Sequence, residues 1–385
     1  MIKDLAGVGP RDRPLVGGKG ASLGELIRAG IPVPAGFVLT VQAFEGAMRA
    51  LDPGGEIQRE VGRLPAGDQG AIARVSAEVR TRIAAAPLPP EVRDQIEAAY
   101  RNLGAAESGA PGGRAGRSGV AAESGGAGET GGAAEGGDVA VAVRSSATAE
   151  DSAEASFAGL QDTYLWVRGA DHLMGRVREC WASLYNAEAV AYRRRMNIPE
   201  HDLAMAVVVQ RMVEPRCAGV MFTRSPTTGD RSVIAIEGCW GLGSALVSGD
   251  VTPDSFVVSK VTGEIVRRSV AVKLRRHHAG PGGQGVVSAD VPGPQRDQPC
   301  LGDAELAALA RLGRRVEEHY GTPQDIEWAI TEGAVTGETP IVLLQSRPET
   351  VWARRDAAPR ATSRPRAVDH VFEQLGRVNV VKPER

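Results

Sequence analysis

The spacing of apolar residues predicts helices and strands in the first half of the chain and mostly strands in the second. Apolar positions three, four and seven apart indicate helices over 72–83, 91–103 and 169–196. A further helix is predicted over 303–320, with Asp303 as its N-cap and Gly321 just past its end. The predicted strands are 139–143, 204–213, 218–224, 232–240, 254–260, 264–272, 323–330 and 340–348. The chain therefore combines α/β and α+β patterns, which favours two lobes with a cleft between them.

Residues 104–138 interrupt this pattern. Thirteen of these 35 residues are glycine, nine are alanine, and Val120 is the only larger aliphatic residue. Such a segment cannot bury enough apolar surface to offset the entropy that it would lose on ordering. We therefore expect a disordered Gly/Ala-rich insertion at the surface, which is a loop or linker rather than a site.

Composition and charge exclude several classes of protein. With 385 residues, the chain has room for roughly two to three domains. A formal net charge of −2 provides no overall basic field for nucleic acid or acidic lipid. The longest apolar run, residues 204–209, is too short to span a bilayer, and the first residues lack an apolar signal core. We therefore expect a cytoplasmic protein that has neither nucleic acid nor membrane as a partner.

The four cysteines are widely separated and form no CxxC pair. This spacing argues against both a zinc site and a disulfide framework. It predicts four buried thiols in a reducing compartment.

The segment VGGKGASLGEL, residues 16–26, places a glycine-rich turn and Lys19 ahead of a helix predicted to begin near Ser22. Glycines let backbone N–H groups approach an anion, the helix N-terminus adds partial positive charge, and Lys19 adds a full charge. The spacing of a P-loop is absent. Taken alone, the segment fits either a phosphate-binding turn or a simple turn that enters a helix.

The segment AVRSSATAEDS, residues 142–152, places Arg144, Ser145, Ser146 and Thr148 just past a predicted strand. Polar side chains at a strand end often hold ligands in α/β proteins. The alternative is a strand that runs into a helix cap, because serine and threonine are ordinary cap residues. These residues alone leave both interpretations open.

The segments PQDIEWAI (323–330) and VLLQSRPET (342–350) predict a hairpin. Strand alternation places Asp325 and Glu327 on one face of the first arm, and Leu343, Gln345 and Arg347 on one face of the second. A carboxylate, an amide oxygen and a guanidinium brought together there are able to hold Mg²⁺ and a polyphosphate. The alternative is an Arg347–Glu327 cross-strand pair on an exposed sheet face.

Eight motifs, in order along the chain, resemble one family. They are VGGKGASLGEL, VPAGFVLT, AVRSSATAEDSAEASFAGLQDTYL, VVVQRMV, GVMFTRSPTTGD, WGLGSALVSGDVTPD, YGTPQDIEWA and LLQSRPETV. Together they resemble the ATP-binding domain of the phosphoenolpyruvate synthase (pyruvate, water dikinase) and pyruvate phosphate dikinase family, which rifampicin phosphotransferase shares. The resemblance runs from residue 7 to about 352 and omits the Gly/Ala-rich insertion.

The resemblance implies an ATP-grasp-type fold, in which two lobes enclose the nucleotide. The N-terminal lobe would comprise residues 1–103 and 139–203, and the C-terminal lobe residues 204–352, followed by a tail or linker over 353–385.

The resemblance also implies ATP and Mg²⁺ as cofactors and a set of site residues. Lys19 would contact phosphate, and Arg144 would reach the transferring phosphoryl groups, with Arg347 nearby. Glu327 and Gln345 would be metal ligands. The remaining positions implied for the nucleotide are Gly159 and Thr163 at the phosphate end and Gln210 at the adenine side. In this interpretation Ser145, Ser146 and Thr148 support Arg144.

Enzymes of this family pass the phosphoryl group to a histidine in a separate domain, within a TCHAA-like context. None of the six histidines of this chain lies in such a context, and we expect the pair His277–His278 to be solvated in a loop or at a strand end. Residues 353–385 are too few for an acceptor barrel. The resemblance therefore implies one subunit of a split enzyme, whose partner carries the histidine and acceptor domains.

Three functions remain open at this point. The first is an ATP-binding subunit that phosphorylates a histidine on the partner, with pyruvate as final acceptor, or a phenol as in phenylphosphate synthases. The second is a self-contained small-molecule phosphotransferase or ATPase. The third is a non-catalytic nucleotide-binding regulator, which the set of Lys19, Arg144, Glu327, Gln345 and Arg347 disfavours.

Overall fold

The computed structural model describes residues 1–108, 138–147, 151–152, 155–156, 162–200, 203–332, 340–350 and 352. The strands are β1 (Ile2–Asp4), β2 (Gly36–Leu39), β3 (Val141–Ala147), β4 (Asp151–Ser152), β5 (Ala155–Ser156), β6 (Thr163–Val167), β7 (Met205–Arg211), β8 (Pro215–Phe222), β9 (Val233–Trp240), β10 (Asp254–Ser259), β11 (Ile265–Ser269), β12 (Arg275–Ala279), β13 (Val286–Asp290), β14 (Gln324–Thr331) and β15 (Ile341–Pro348). The helices are α1 (Arg13–Arg28), α2 (Val41–Leu51), α3 (Glu56–Gly62), α4 (Gln69–Ala85), α5 (Pro90–Ser108), α6 (Ala170–Ser183), α7 (Ala187–Met196), α8 (Ser244–Val247) and α9 (Asp303–Tyr320).

The first sheet is antiparallel and has the strand order β1-β2-β7-β3-β6. Along β7, Val207 and Val209 pack into a core with helices α2–α7, whereas Ala206 and Val208 pack against α1. Both faces of this central strand are covered, which explains its continuous apolar run. The sequence interpretation assigned residues from 204 onward to the second lobe, but β7 pairs within the first sheet.

The second sheet is also antiparallel, in the order β11-β10-β9-β8-β14-β15. Helix α9 covers one face, where Leu306 and Leu309 belong to the same core as Ile236, Ile326 and Trp328. The opposite face carries Glu327, because side chains alternate along a strand. The predicted mixture of helices and strands is thus confirmed, and both of these sheets are antiparallel.

Helix α1 joins the two sheets, since it contacts β3 and β7 on one side and β15 on the other. Ser22 donates a 2.6 Å hydrogen bond from Oγ to the carbonyl of Ser346 on β15. The amide of Leu343 donates a 2.8 Å hydrogen bond to the carbonyl of Pro32, which follows α1. These contacts place the end of β15 beside β3, where the polar residues of the two sheets meet.

Several predicted elements have different limits in the structure. The helix predicted over 169–196 is two helices, α6 and α7, separated at Asn186, whose extended backbone starts α7. Helix α5 continues to Ser108, five residues beyond the predicted boundary, and most of the Gly/Ala-rich insertion lies outside the described residues. Helix α9 has the predicted limits, but Gly302 is its N-cap and Asp303 its first helical residue.

The predictions for the thiols and for membrane spans can also be compared with the structure. All four cysteines are buried free thiols, as the sequence predicts. Within the described ranges, none of the helices has both the length and the apolar character that crossing a membrane requires.

Candidate functional site

Arg144 connects the two sheets. It lies inside β3, opposite Thr163 on β6 and Val208 on β7, and it is only 7% exposed. Its Nη1 donates a 2.6 Å hydrogen bond to the carbonyl of Leu344 on β15. Strand β3 continues through Ala147, so Arg144, Ser145 and Ser146 are strand residues rather than residues past a strand end. The strand tolerates Arg144 and Ser146 because their side chains bond to β15 and α1.

Two polar side chains from the second sheet meet the same guanidinium. Nη2 of Arg144 is 2.5 Å from Oε1 of Gln345 and 3.1 Å from Oε2 of Glu327. Glu327 and Gln345 are direct cross-strand partners on β14 and β15. The structure therefore brings Arg144 together with two residues that lie 183 and 201 positions further along the sequence.

A β-bulge on β15 directs Gln345 toward Arg144. Glu327 pairs with Gln345 but the next residue, Trp328, pairs with Leu343, so Leu344 is the additional residue. Leu343 consequently packs in the core with Trp328, while Gln345 faces the guanidinium. The prediction that Leu343 and Gln345 share a face is wrong, because the bulge reverses the alternation between them. The bulge also leaves the Leu344 carbonyl available to Arg144.

Arg347 has a different partner from the one considered in the sequence. It pairs across the hairpin with Asp325, and both Nε and Nη2 lie 2.8 Å from Oδ2 of that carboxylate. Burial raises the pKa of the Asp325 carboxyl, although the Arg347 guanidinium opposes this shift. The cross-strand partner of Arg347 is therefore Asp325, and Glu327 contacts Arg144.

An apolar cavity of about 270 Å³ lies between the sheets, beside the Arg144 cluster. Its walls include Leu165, Met212, Ala218, Gly219, Val220 and Leu242. Four residues predicted for the site line it: Arg144, Thr163, Gln210 and Glu327. Gln210 is 2% exposed; its Oε1 is 3.5 Å from Nη1 of Arg144, and its Nε2 is 3.4 Å from the carbonyl of Pro34.

Lys19 lies just after a kink in α1. Gly17 adopts φ 70°, and this breaks the helix so that a new helical segment begins at Gly18, four residues earlier than predicted. Oγ of Ser146 accepts a 3.1 Å hydrogen bond from the amide of Gly20 and donates a 2.8 Å hydrogen bond to the carbonyl of Val16. Ser146 thus caps the helical segment that carries Lys19, rather than supporting Arg144.

Lys19 lies near enough to Cys180 for its charge to affect the pKa of that thiol. Burial raises the pKa of the Cys180 thiol, and the charge of Lys19 acts in the opposite direction. Cys180 itself contacts the carbonyls of Val143 and Asp162, beside the end of β3. Two other residues considered in the sequence, Gly159 and Thr148, lie outside the described residues.

The donor set fits a magnesium ion. Among the described residues, no group of three or more His, Cys, Asp or Glu side chains is arranged to hold a metal. Mg²⁺, however, is commonly bound by one or two protein oxygens together with substrate phosphates. The carboxylate of Glu327 and the amide oxygen of Gln345 are such oxygens, on paired residues, and both already converge on one positive group.

Sequence reasoning missed two parts of this site. One is the Leu344 carbonyl, which accepts a hydrogen bond from Arg144 because of the bulge. The other is the contact between Ser146 and the kinked helix α1. Neither has a local signal, since IVLLQSRP is strand-forming throughout and Ser146 reaches residues about 130 positions away.

Comparison with known proteins identifies the family. Residues 13–367 match the pyruvate phosphate dikinase AMP/ATP-binding domain. A probable phosphoenolpyruvate synthase from Methanothermobacter thermautotrophicus is 41% identical over 367 residues, which cover 94% of this chain and 48% of the relative. A rifampicin phosphotransferase from Streptomyces is 40% identical over 351 residues, covering 91% of this chain and 36% of the relative. A phosphoenolpyruvate synthase from Aeropyrum pernix is 39% identical over 366 residues, covering 89% and 41%.

The chain spans less than half the length of these curated relatives. The family match covers most of the described residues, including both sheets and the Arg144 cluster. The chain therefore belongs to the pyruvate phosphate dikinase AMP/ATP-binding domain family.

Proposed function

We propose that this chain binds Mg·ATP between its two sheets and uses it to phosphorylate a histidine on a partner domain or subunit. In this proposal the two sheets act as the lobes of an ATP-grasp fold. The final acceptor is pyruvate, with conversion of ATP to AMP and phosphate overall. The observation that carries the proposal is the convergence of Arg144, Glu327 and Gln345 from opposite sheets at the edge of an apolar cavity.

The cavity offers apolar walls and polar side chains to a nucleotide. Its apolar walls suit a purine base, and we assign to the base the buried amide of Gln210, which also contacts Arg144. We assign the polyphosphate to the end where Arg144 lies, with Thr163, Gly159, Arg347 and Lys19 contributing. Lys19 follows a helix start whose N–H groups add partial positive charge.

Phosphoryl transfer depends mainly on positioning and charge neutralisation. Glu327 and Gln345 would hold Mg²⁺, which when bound supplies charge neutralisation on the polyphosphate. Arg144 is suited to orient the transferring group, because its guanidinium is rigid, always charged and held between three acceptors. Burial of Arg144 at 7% exposure strengthens its electrostatic effect relative to a solvated arginine.

The acceptor histidine is proposed to lie on a partner. None of the six histidines in this chain has the TCHAA-like context of the family's acceptor. The relatives named phosphoenolpyruvate synthase are more than twice as long as the region they share with this chain. Their names support pyruvate as the final acceptor, and a phenol, as in phenylphosphate synthases, is the alternative on the same partner.

A second candidate is a self-contained small-molecule phosphotransferase. The Streptomyces relative named rifampicin phosphotransferase, which is 40% identical to this chain, is compatible with a small-molecule acceptor. The two candidates share the nucleotide site and differ in where the phosphoryl group goes.

Nucleotide binding is tested by calorimetric titration of the isolated chain with ATP, with and without Mg²⁺. We expect one Mg·ATP per chain, and Lys19→Ala should weaken binding because it removes a phosphate contact. Lys3→Ala is the matched control, since Lys3 is partly exposed and pairs with Asp12 at the surface. A chain that bound no nucleotide, or a Lys19→Ala variant that bound as tightly as Lys3→Ala, would count against the proposal.

A further inference from the structure

A chain of hydrogen bonds reaches the wall of the nucleotide cavity from outside it. Ser244, the first residue of α8, lines the cavity, and its Oγ lies 3.0 Å from Nδ1 of His277 on β12. The other ring nitrogen, Nε2, lies 3.2 Å from Oδ2 of Asp250. The same Oδ2 accepts a 2.6 Å hydrogen bond from Oγ of Ser248. The sequence interpretation expected His277 to be solvated in a loop or at a strand end, but it lies within β12 and its side chain is only 13% exposed.

The backbone fixes this histidine in place. The carbonyl of His277 accepts a 2.9 Å hydrogen bond from the amide of Leu242, and Gly241 forms a bridge with His277. A β-carbon at Gly241 would come within 2.4 Å of the His277 carbonyl, so glycine permits this close approach. His277 also lines a second cavity of about 560 Å³, which shares Pro215 and Leu242 with the first. His277 therefore stands behind Ser244 in a defined orientation.

The hydrogen-bond roles follow from the carboxylate. An ionised Asp250 accepts hydrogen bonds only, so Nε2 of a neutral His277 carries the proton. In this tautomer Nδ1 has a lone pair, and the hydroxyl of Ser244 donates its single proton to it. The oxygen of Ser244 consequently has no proton left for a ligand. Toward the cavity it is an acceptor.

We infer that Ser244 determines nucleotide specificity by accepting a hydrogen bond from a donor on the nucleoside, and that His277 and Asp250 are positioning residues that set it in this role. The donor is a ribose hydroxyl or the exocyclic amine of the base. This inference rests on the proposed nucleotide site and adds a specificity-determining residue to it. The His277 imidazole affects nucleotide specificity only through its hydrogen bond with Ser244.

The experiment compares the Kd of ATP with those of 2′-deoxy-ATP, 3′-deoxy-ATP and purine riboside triphosphate, which each lack one donor. One analogue should bind the wild-type chain about threefold to tenfold more weakly than ATP, as expected for one neutral hydrogen bond. Ser244→Ala should bring that ratio close to one, because it weakens ATP and the two analogues that keep the donor but leaves the affected analogue unchanged. The identity of the affected analogue distinguishes the sugar from the base as the donor.

Variants of the histidine separate positioning from packing. His277→Phe keeps a ring but removes the acceptor, and should also abolish the discrimination. His277→Asn provides an amide oxygen near the position of Nδ1. This variant should restore part of the discrimination between ATP and the affected analogue. His278→Phe is the matched control, because the neighbouring His278 is exposed and bonds to the carbonyl of Ala279. His278→Phe should bind the affected analogue more weakly than ATP by the same factor as the wild-type chain.

Two results would overturn the inference. If Ser244→Ala weakened ATP and all three analogues by the same factor, Ser244 would have only a structural role, while the nucleotide site would stand. If the wild-type chain bound none of these nucleotides, both the inference and the proposed function would fail.

Discussion

The backbone carbonyl of Ser146 faces Gly17 so closely that a β-carbon on Gly17 would lie 2.1 Å from its oxygen. This contact presses β3 against the kink of α1 and lets Oγ of Ser146 cap the helical segment that begins at Gly18. Lys19 and Arg144 are therefore held by the same pair of elements. The relative positions of Lys19 and Arg144 therefore depend on glycine at position 17.

Gly17→Ala should destabilise the protein. The φ of 70° is unfavourable for alanine, and the new methyl group would overlap the Ser146 carbonyl. We expect the free energy of unfolding to fall by at least about 2 kcal/mol, measured by chemical denaturation. Gly46→Ala is the matched control, because Gly46 lies within α2 and a β-carbon there would meet nothing within 4 Å. It should raise stability by about 0.5–1 kcal/mol. Equal stability of the two variants would mean that the contact with Ser146 is absent in solution.

Replacing Arg144 should suppress phosphoryl transfer. Arg144→Ala removes the guanidinium that we propose to orient the transferring group, and a loss of about 10³-fold or more in rate is expected. Arg144→Lys should recover little of the activity, since one ammonium cannot match the planar contacts to Leu344, Gln345 and Glu327. The rate is measured with labelled ATP and a histidine-domain partner.

A variant of a surface arginine is the control for the Arg144 variants. Arg268 pairs with Asp303 and is partly exposed, so Arg268→Lys should transfer phosphoryl groups at the wild-type rate. Near-normal transfer by Arg144→Ala would remove Arg144 from the mechanism.

Glu327→Gln should separate metal binding from nucleotide binding. The amide keeps the size of the side chain but loses the negative charge that favours Mg²⁺. We expect transfer to be lost at ordinary Mg²⁺ concentrations, while ATP binding measured without metal is retained. Glu317→Gln, which removes a carboxylate paired with Lys260 on the far side of the second sheet, should leave both unchanged. Normal transfer by Glu327→Gln at low Mg²⁺ would show that Glu327 is not a ligand.

The four thiols should react slowly in the folded protein. Burial raises the pKa of Cys217 and Cys239 to about 12, and it also raises the pKa of Cys180 and Cys300. The thiolate is the reactive form, so little of it exists near neutral pH, and burial restricts access further. A thiol reagent should modify all four cysteines in denaturant and almost none without it. Rapid modification of the native protein would contradict this packing.

Several parts of the fold and site were predictable from local sequence. Helix α9 has the predicted limits because its apolar spacing is regular and Gly321 ends it in a left-handed conformation, with φ 68°. The motifs around Arg144, Gln210, Glu327 and Gln345 carried enough information to nominate these residues, and the structure places all four in one cluster.

Other parts depend on contacts that sequence spacing does not reveal. The bulge at Leu344 reverses the face of Gln345 relative to Leu343, although alternation alone predicts one shared face. Strand β3 runs on through Arg144 and Ser146 because its polar side chains find partners on β15 and α1. His277 is enclosed because Leu242 and Ser244 fold against it. Each outcome is decided by residues distant in sequence.

The central claim is that the Arg144 cluster holds Mg·ATP for transfer to a histidine on another domain or subunit. It is tested most directly by incubating the chain with β- and γ-labelled ATP, with and without a TCHAA-type histidine domain from a phosphoenolpyruvate synthase. The account predicts slow ATP turnover and no stable phosphohistidine on the chain alone. With the histidine domain and pyruvate, it predicts acid-labile label on the domain's histidine and release of AMP. Rapid phosphorylation of a small-molecule acceptor by the chain alone, or no label on the histidine domain, would contradict it.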